Sequence, residues 1–228
     1  MLIIDSIHSI FDKKQSSCFC SNNIWEINEP SKTAIIKKVI FKKDDTSFGV
    51  INNDFYKSID QITTTRSSVL KDKDCDGISF IDGGDKTHIL LVDLKSCFSG
   101  SDISTAFEQD FFSFLKIHMM LSMCSGYILK SLNVSFYVAC PKCKNTDEED
   151  QIKDNILMSE EAGENNFTNK CMYSYFFKKK CLCKLKDIPY IKGRLLHDDL
   201  LSIDIDFNII TPEKYGVEEC VVNLNLCG

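Results

Sequence analysis

The stretch that decides the fold is Asp76-Gly77-Ile78-Ser79-Phe80-Ile81-Asp82-Gly83-Gly84-Asp85-Lys86-Thr87-His88-Ile89-Leu90-Leu91-Val92-Asp93-Leu94-Lys95. Gly77 to Ile81 alternates small and apolar residues, the period of a strand with two unlike faces. Asp82-Gly83-Gly84-Asp85 is a turn signal, because glycine reaches backbone conformations that tight turns require. His88 to Val92 is a continuous apolar run, as expected of a strand buried on both faces. The segment therefore predicts an antiparallel hairpin. It begins at one carboxylate, Asp76, and ends at Asp93-Leu94-Lys95.

Working outward, Asp102 to about Leu132 predicts a helix capped by Ser101 or Asp102, with Ile103, Phe107, Phe111, Phe114 and Leu115 on one face. Val134 to Ala139 predicts another buried strand. The order strand, strand, helix, strand indicates an α/β or α+β architecture. Upstream, a short helix is expected near Ile3 to Phe11. Ala34 to Phe41 reads as a strand, with Phe48 to Ile51 as its hairpin partner. Asp54 to Leu70 has partly helical spacing, weakened by Thr63-Thr64-Thr65. Downstream, the acidic and polar composition predicts an exposed insertion over about 144–185 within a single domain of 1–228. Met172 to Phe177, Leu200 to Ile210 and Val221 to Leu226 read as strands.

Apolar residues make up 43 % and charged residues 26 % of the 228-residue chain, an ordinary globular balance that permits a sizeable core. The net charge of −6 lowers the expectation of a free-standing nucleic-acid binder, since such proteins neutralise phosphates with basic surface. Met1 to Lys14 lacks a basic start and a small-residue cleavage site, and no apolar run of membrane-spanning length occurs. A cytoplasmic protein with no membrane span is expected, its twelve cysteines reduced and mostly core fillers.

Strand side chains alternate faces, so Asp93 and Lys95 point the same way. Antiparallel pairing brings Asp76, at the start of the first strand, beside Asp93. Two carboxylates and a lysine make a site for a hard divalent cation, Mg²⁺ or Mn²⁺, which activates water and polarises phosphoryl oxygens. The arrangement resembles the PD-(D/E)xK nuclease superfamily over Asp76 to Ala139. The resemblance implies a restriction-endonuclease-like mixed central sheet flanked by helices. It also implies that Asp76, Asp93 and the Leu94 carbonyl bind the metal, and that Lys95 serves the attacking water. Cys75 stands where the family's motif has proline. Families often add an acid from a preceding helix; Asp54 and Asp60 are the candidates. Glu108, Gln109 and Lys116 fall on the helix that flanks the site. A solvated strand end, with Lys95 simply pairing its neighbours, is the plain alternative.

Cys140-Pro141-Lys142-Cys143 and Cys181-Leu182-Cys183 could together hold a structural Zn²⁺ and staple the insertion, or be four unrelated thiols. His8, His88, His118 and His197 read as packed or exposed residues rather than ligands. Lys178-Lys179-Lys180 is the best basic cluster, either a nucleic-acid backbone contact or a solvated run.

Two functional classes follow. One is a metal-dependent nuclease that hydrolyses DNA or RNA phosphodiesters, working as a subunit of a larger complex such as a defence system. The other is a non-catalytic interaction subunit with a degenerate nuclease-like fold. The helix argues for a protein partner, because Phe112, Ile117, Met119, Met120, Leu121 and Met123 spread apolar surface around it. The acidic charge argues for a basic hetero-partner over a homodimer.

Overall fold

The computed structural model describes residues 3–11, 17–19, 23–44, 48–52, 54–55, 74–82, 86–124, 127–163, 166–191 and 196–224. In chain order they form α1 (Ile3–Ile10), β1 (Ser17–Phe19), β2 (Ile24–Asn28), β3 (Lys38–Lys42), β4 (Phe48–Ile51), β5 (Gly77–Asp82) and β6 (Thr87–Leu94). Then come α2 (Gly100–Leu121), β7 (Leu132–Ala139), α3 (Thr146–Glu161), α4 (Phe167–Phe176), β8 (Cys181–Lys184), β9 (Asp204–Ile210) and β10 (Glu219–Asn223).

The protein is a mixed α/β structure. Seven strands form one sheet in the order β1-β4-β5-β6-β7-β9-β8, and three form a second in the order β10-β3-β2. The hairpin β5–β6 is antiparallel, with Gly77 opposite Val92. β6, β7 and β9 run parallel, as α2 between β6 and β7 requires. One face of the large sheet meets α2 and α4; the other meets the small sheet. Ile89 and Leu91 of β6 face the helix side, in one core with Phe107, Phe111 and Phe136. Leu90 and Val92 face the other side, in a core with Trp25, Val39 and Phe41. Burial on both faces accounts for the unbroken apolar run.

Ser99, rather than Ser101 or Asp102, caps α2, accepting the Asp102 amide at 3.1 Å. The helix ends at Leu121, short of Leu132. Nearly all of its apolar circumference is buried within this chain: Phe112, Ile117, Met120 and Leu121 are all buried, and only Met119 and Met123 are exposed. The helix therefore requires no partner to cover it.

Several expectations are corrected. β3 does not pair with β4; it lies between β2 and β10 in the small sheet, while β4 pairs with β1 and β5. Met172 to Phe177 is not a strand. Asn166 accepts the Thr168 amide at 3.0 Å and opens α4, whose Cys171 and Met172 are buried. Leu200 and Leu201 belong to the helical turn Asp198–Leu201, and the strand begins at Asp204. The stretch 144–185 is two helices and an edge strand. Only α3 suits an exposed insertion, with Ile156 its one buried residue. Its acidic run is a first helical turn, where Asp147, Glu148 and Glu149 meet the positive end of the dipole. α4 and β8 pack into the helix-side core through Cys171, Met172, Cys181 and Cys183. The ambiguous stretch 54–70 lies almost wholly outside the described residues, and the turn residues 83–85 lie outside them too. Among the described residues no helix is long and apolar enough to cross a membrane.

At Gly77, beside the first carboxylate of the hairpin, the small sheet packs close against the large one. A Cβ there would lie 3.0 Å from both Trp25 Cζ2 and Ile27 Cδ1. Gly77→Ala is expected to cost about 1–2 kcal/mol by overpacking, read as a lower midpoint in urea unfolding.

Candidate active site

The site forms where β6 ends against α2. The Asp76 amide donates to the Val92 carbonyl at 2.8 Å, which extends the β5–β6 ladder by one residue and sets Asp76 beside Asp93. Asp76 Oδ2 accepts the Leu94 amide at 2.7 Å. Lys95 Nζ lies 2.8 Å from Asp93 Oδ1 and also donates to Gln109 Oε1 on α2. The Lys95 amide donates to the Ala139 carbonyl at 2.8 Å, tying the end of β6 to that of β7. Asp76, Asp93 and Lys95 thus come together on the helix side of the sheet. Asp54 is exposed, and Asp60 lies outside the described residues.

α2 holds the approach to this site through one face. Gln109, Ser113 and Lys116 are spaced by four and three residues, the interval of a helix stripe. Gln109 Nε2 donates to the Asp74 carbonyl at 3.2 Å, and Ser113 Oγ accepts the Cys75 amide at 2.9 Å. Lys116, with 0 % of its side chain exposed, pairs with Asp74 Oδ1 at 2.6 Å. Asp74, Cys75 and Asp76 are thereby laid along the helix.

The same face carries Asp110, which sequence reasoning passed over because it stands among phenylalanines. It is fully buried, and among the described residues neither carboxylate oxygen has a hydrogen-bond partner. Burial pushes its pKa well up, and the charges of Asp93 and Asp76 add to the rise. Asp93 behaves alike. Burial and then the Asp76 charge outweigh the attraction of Lys95 and push its carboxyl up to about 8. Asp93 is 2 % exposed, and its Oδ2 has no partner.

This donor set fits a hard divalent cation. A buried carboxylate oxygen without a partner, beside a second carboxylate, is destabilised by exactly the charge that a cation would neutralise. Among the described residues no three or more His, Cys, Asp and Glu side chains are arranged to hold a metal ion. The fit is to Mg²⁺ or Mn²⁺, for which one or two carboxylates suffice with water and phosphate oxygens.

The four cysteines considered for zinc are not gathered. Cys140 is buried in the helix-side core just beyond β7, and Cys143 is half-buried in the loop that follows. Cys181 and Cys183 turn inward from β8 toward α4, where Cys181 Sγ lies 3.5 Å from Cys171 Sγ and Lys170 Nζ lies 3.4 Å from Cys183 Sγ. The strand period directs Cys181 and Cys183 into the core, and among the described residues no three of the four cysteines are grouped as metal ligands. Lys178, Lys179 and Lys180 are exposed in the turn between α4 and β8. His88 is buried and His118 donates or accepts at the Tyr127 hydroxyl, 2.7 Å from Nδ1. His197 caps the Asp198–Leu201 turn.

Comparison with protein-family models, curated proteins and solved structures finds no match to this chain.

Two outcomes are expected. Lys116→Met strands the Asp74 carboxylate, whose side chain is only 11 % exposed. The loss should be about 3 kcal/mol, partly recovered by adding Asp74→Leu, in urea unfolding. The second concerns pH. A carboxyl raised to about 8 in the fold favours the protein fully below the ordinary value of 3.8, and that contribution is lost as pH rises toward 8. Without divalent cation, Asp93→Asn should therefore match the wild type near the low end of this window. At the high end it should exceed it by on the order of 5 kcal/mol, the scale of a shift from 3.8 to about 8, in thermal melts across the range.

Proposed function

We propose that this protein is a metal-dependent phosphodiester hydrolase, a nuclease built on the restriction-endonuclease-like arrangement that the sequence resembles. The observation that supports it most is the buried oxygen of Asp93 that has no partner among the described residues, held beside Asp76 and Lys95 at the end of the central strand β6. Asp76, Asp93 and the Leu94 carbonyl are the oxygens that would hold the cation. When bound, the ion supplies polarisation of a phosphoryl oxygen and a lowered pKa for water.

The chain's own groups do the rest. The Leu94 amide fixes the Asp76 carboxylate so that it need not reorganise when substrate arrives. Gln109 holds the Lys95 ammonium at the mouth of the site, where it orients the attacking water and offsets charge that develops on phosphate. Burial of Asp93 excludes bulk water from the cation's inner side and strengthens each electrostatic contact.

A second function, a non-catalytic interaction subunit, is favoured by two specific observations. Asp93 is nearly inaccessible, and acidic groups outnumber Lys95, since Glu29 as well as Asp76 raises the Asp93 pKa. A net charge of −6 also gives weak general attraction for nucleic acid, which favours a basic partner for either function.

Incubation of single- and double-stranded DNA and RNA with Mg²⁺ or Mn²⁺ separates the two. Cleavage is expected with the wild type and a loss of at least about a hundredfold in folded Asp93→Ala or Lys95→Ala, the scale of a removed electrostatic catalyst. Wild-type cleavage by a folded Asp93→Ala protein would refute the site. Calorimetric Mn²⁺ binding that Asp93→Ala abolishes, without cleavage of any substrate, would support the second function.

A further inference from the structure

The basic turn after α4 lies at the same end of the sheet as the carboxylates. Asp93 is level with Val138, and Val138 with Ile209. The β8–β9 pairing sets Cys181 opposite Phe207, so the antiparallel register carries that row on to Lys179. Three strand spacings, roughly 14 Å, separate the two ends of the row. The loop after Lys95 reaches the end of α4. Phe98, three residues past Lys95, packs its ring 5.4 Å from Tyr175 and 5.6 Å from Phe176 at the end of α4.

The turn itself has two features that a merely solvated lysine run does not need. Lys178 has φ 50°, the left-handed conformation. At the end of a helix that position favours glycine, and a lysine there is held against its preference. Beside it, Phe177 is 39 % exposed and its ring lies 4.4 Å from that of Tyr173, tilted by 34°. Lys179 Nζ covers Tyr173, 4.8 Å from the ring centre. An exposed ring backed by a second ring and bordered by three lysines offers a base-stacking platform with backbone-pairing charge. Lys179 and Lys180 continue into a cavity of about 620 Å³ that Lys170 also lines, with Glu160 and Asp187 as its acidic members. Lys180 is partly engaged, 3.8 Å from Asp206.

We infer that the turn 177–180 is a docking strip for single-stranded nucleic acid, with an unpaired base on Phe177 and phosphates on Lys178 and Lys179, leading toward Asp93. The single strand is specified by the ring, because a paired base in a duplex has no free face to stack on it. The inference rests on the nuclease function for its use, but binding is measured apart from cleavage.

The test is fluorescence anisotropy in EDTA at low salt, with labelled single-stranded DNA, single-stranded RNA and a DNA duplex of one sequence. Wild-type protein is expected to bind a single strand more tightly than the duplex; the two single-stranded arms tell which sugar is preferred. Phe177→Ala should weaken single-strand binding at least roughly fivefold, the effect of one stacked base. Lys178→Gly should raise the melting temperature, since glycine suits the left-handed turn, yet weaken binding and reduce the salt slope by about one. That opposite movement is one a structural role cannot give. Absence of single-strand binding, equal affinity for the duplex, or wild-type affinity in both folded variants would overturn the inference. The nuclease function would then still be judged by whether cleavage depends on Asp93.

Discussion

The ion pair between Lys116 and Asp74 is the constraint from which the site follows. Lys116 has no exposed side-chain surface, and its ammonium reaches Asp74 at 2.6 Å. Breaking such a pair leaves a charge in a poorly solvated place, so the pairing fixes where the chain runs more strictly than apolar contact would. It brings Asp74 onto α2, and Ser113 then fixes the next residue by accepting the Cys75 amide. Asp76 follows with its amide on Val92 and its carboxylate on Leu94. The first carboxylate of the site is thus positioned by a helix from the other side of the hairpin, not by the strand alone.

The second carboxylate is positioned by the sheet. β6 is buried on both faces and carries apolar residues throughout its centre, so Asp93 ends a strand that gives it no polar surroundings of its own. Lys95 satisfies one of its oxygens, and the other has none. Two buried acids, Asp93 and Asp110, face the same small region against one nearby lysine. A fold that needed only stability would place apolar residues there. The concentration of acid where α2 meets the start of β5 and the end of β6 supports the proposed cation-dependent function over a plain strand end.

The sequence made the central hairpin and the helix after it legible because their patterns are local: alternation, a Gly-rich turn, an apolar run and a helix-spaced stripe. It also brought out Asp76, Asp93 and Lys95, since strand alternation fixes their relative faces. What it hid was non-local. Val39 and Phe41 look like the partner of Phe48 to Ile51 by proximity in the chain, yet they pair with β2 and β10, and no local signal distinguishes the sheets. α4 was obscured by Tyr and Phe, which favour strands in isolation, while the Asn166 cap and the burial of Cys171 and Met172 decide for a helix. The acids of α3 read as an exposed run because solvation and a helix dipole both attract them; Asn145, accepting the Glu148 amide at 2.9 Å, was the distinguishing signal. Asp110 could have been noticed as an acid directly before Phe111-Phe112, three residues before Ser113.

The remaining tension is between charge and substrate. The site concentrates negative charge, and a phosphodiester would add more. On the proposed function, a cation held by Asp76 and Asp93 would reverse the sign locally, because it would offset the burial and the Asp76 charge that raise the Asp93 carboxyl and would leave Lys95 as excess positive charge. Attraction at a distance must then come from elsewhere, as screening confines the site's own field to about a Debye length of roughly 8 Å at physiological salt. The lysines after α4 stand roughly 14 Å away along the sheet register, beyond that length. On the proposed function, separating a gripping surface from the reacting groups would let the site keep the acid excess a cation requires while the chain keeps its net charge of −6.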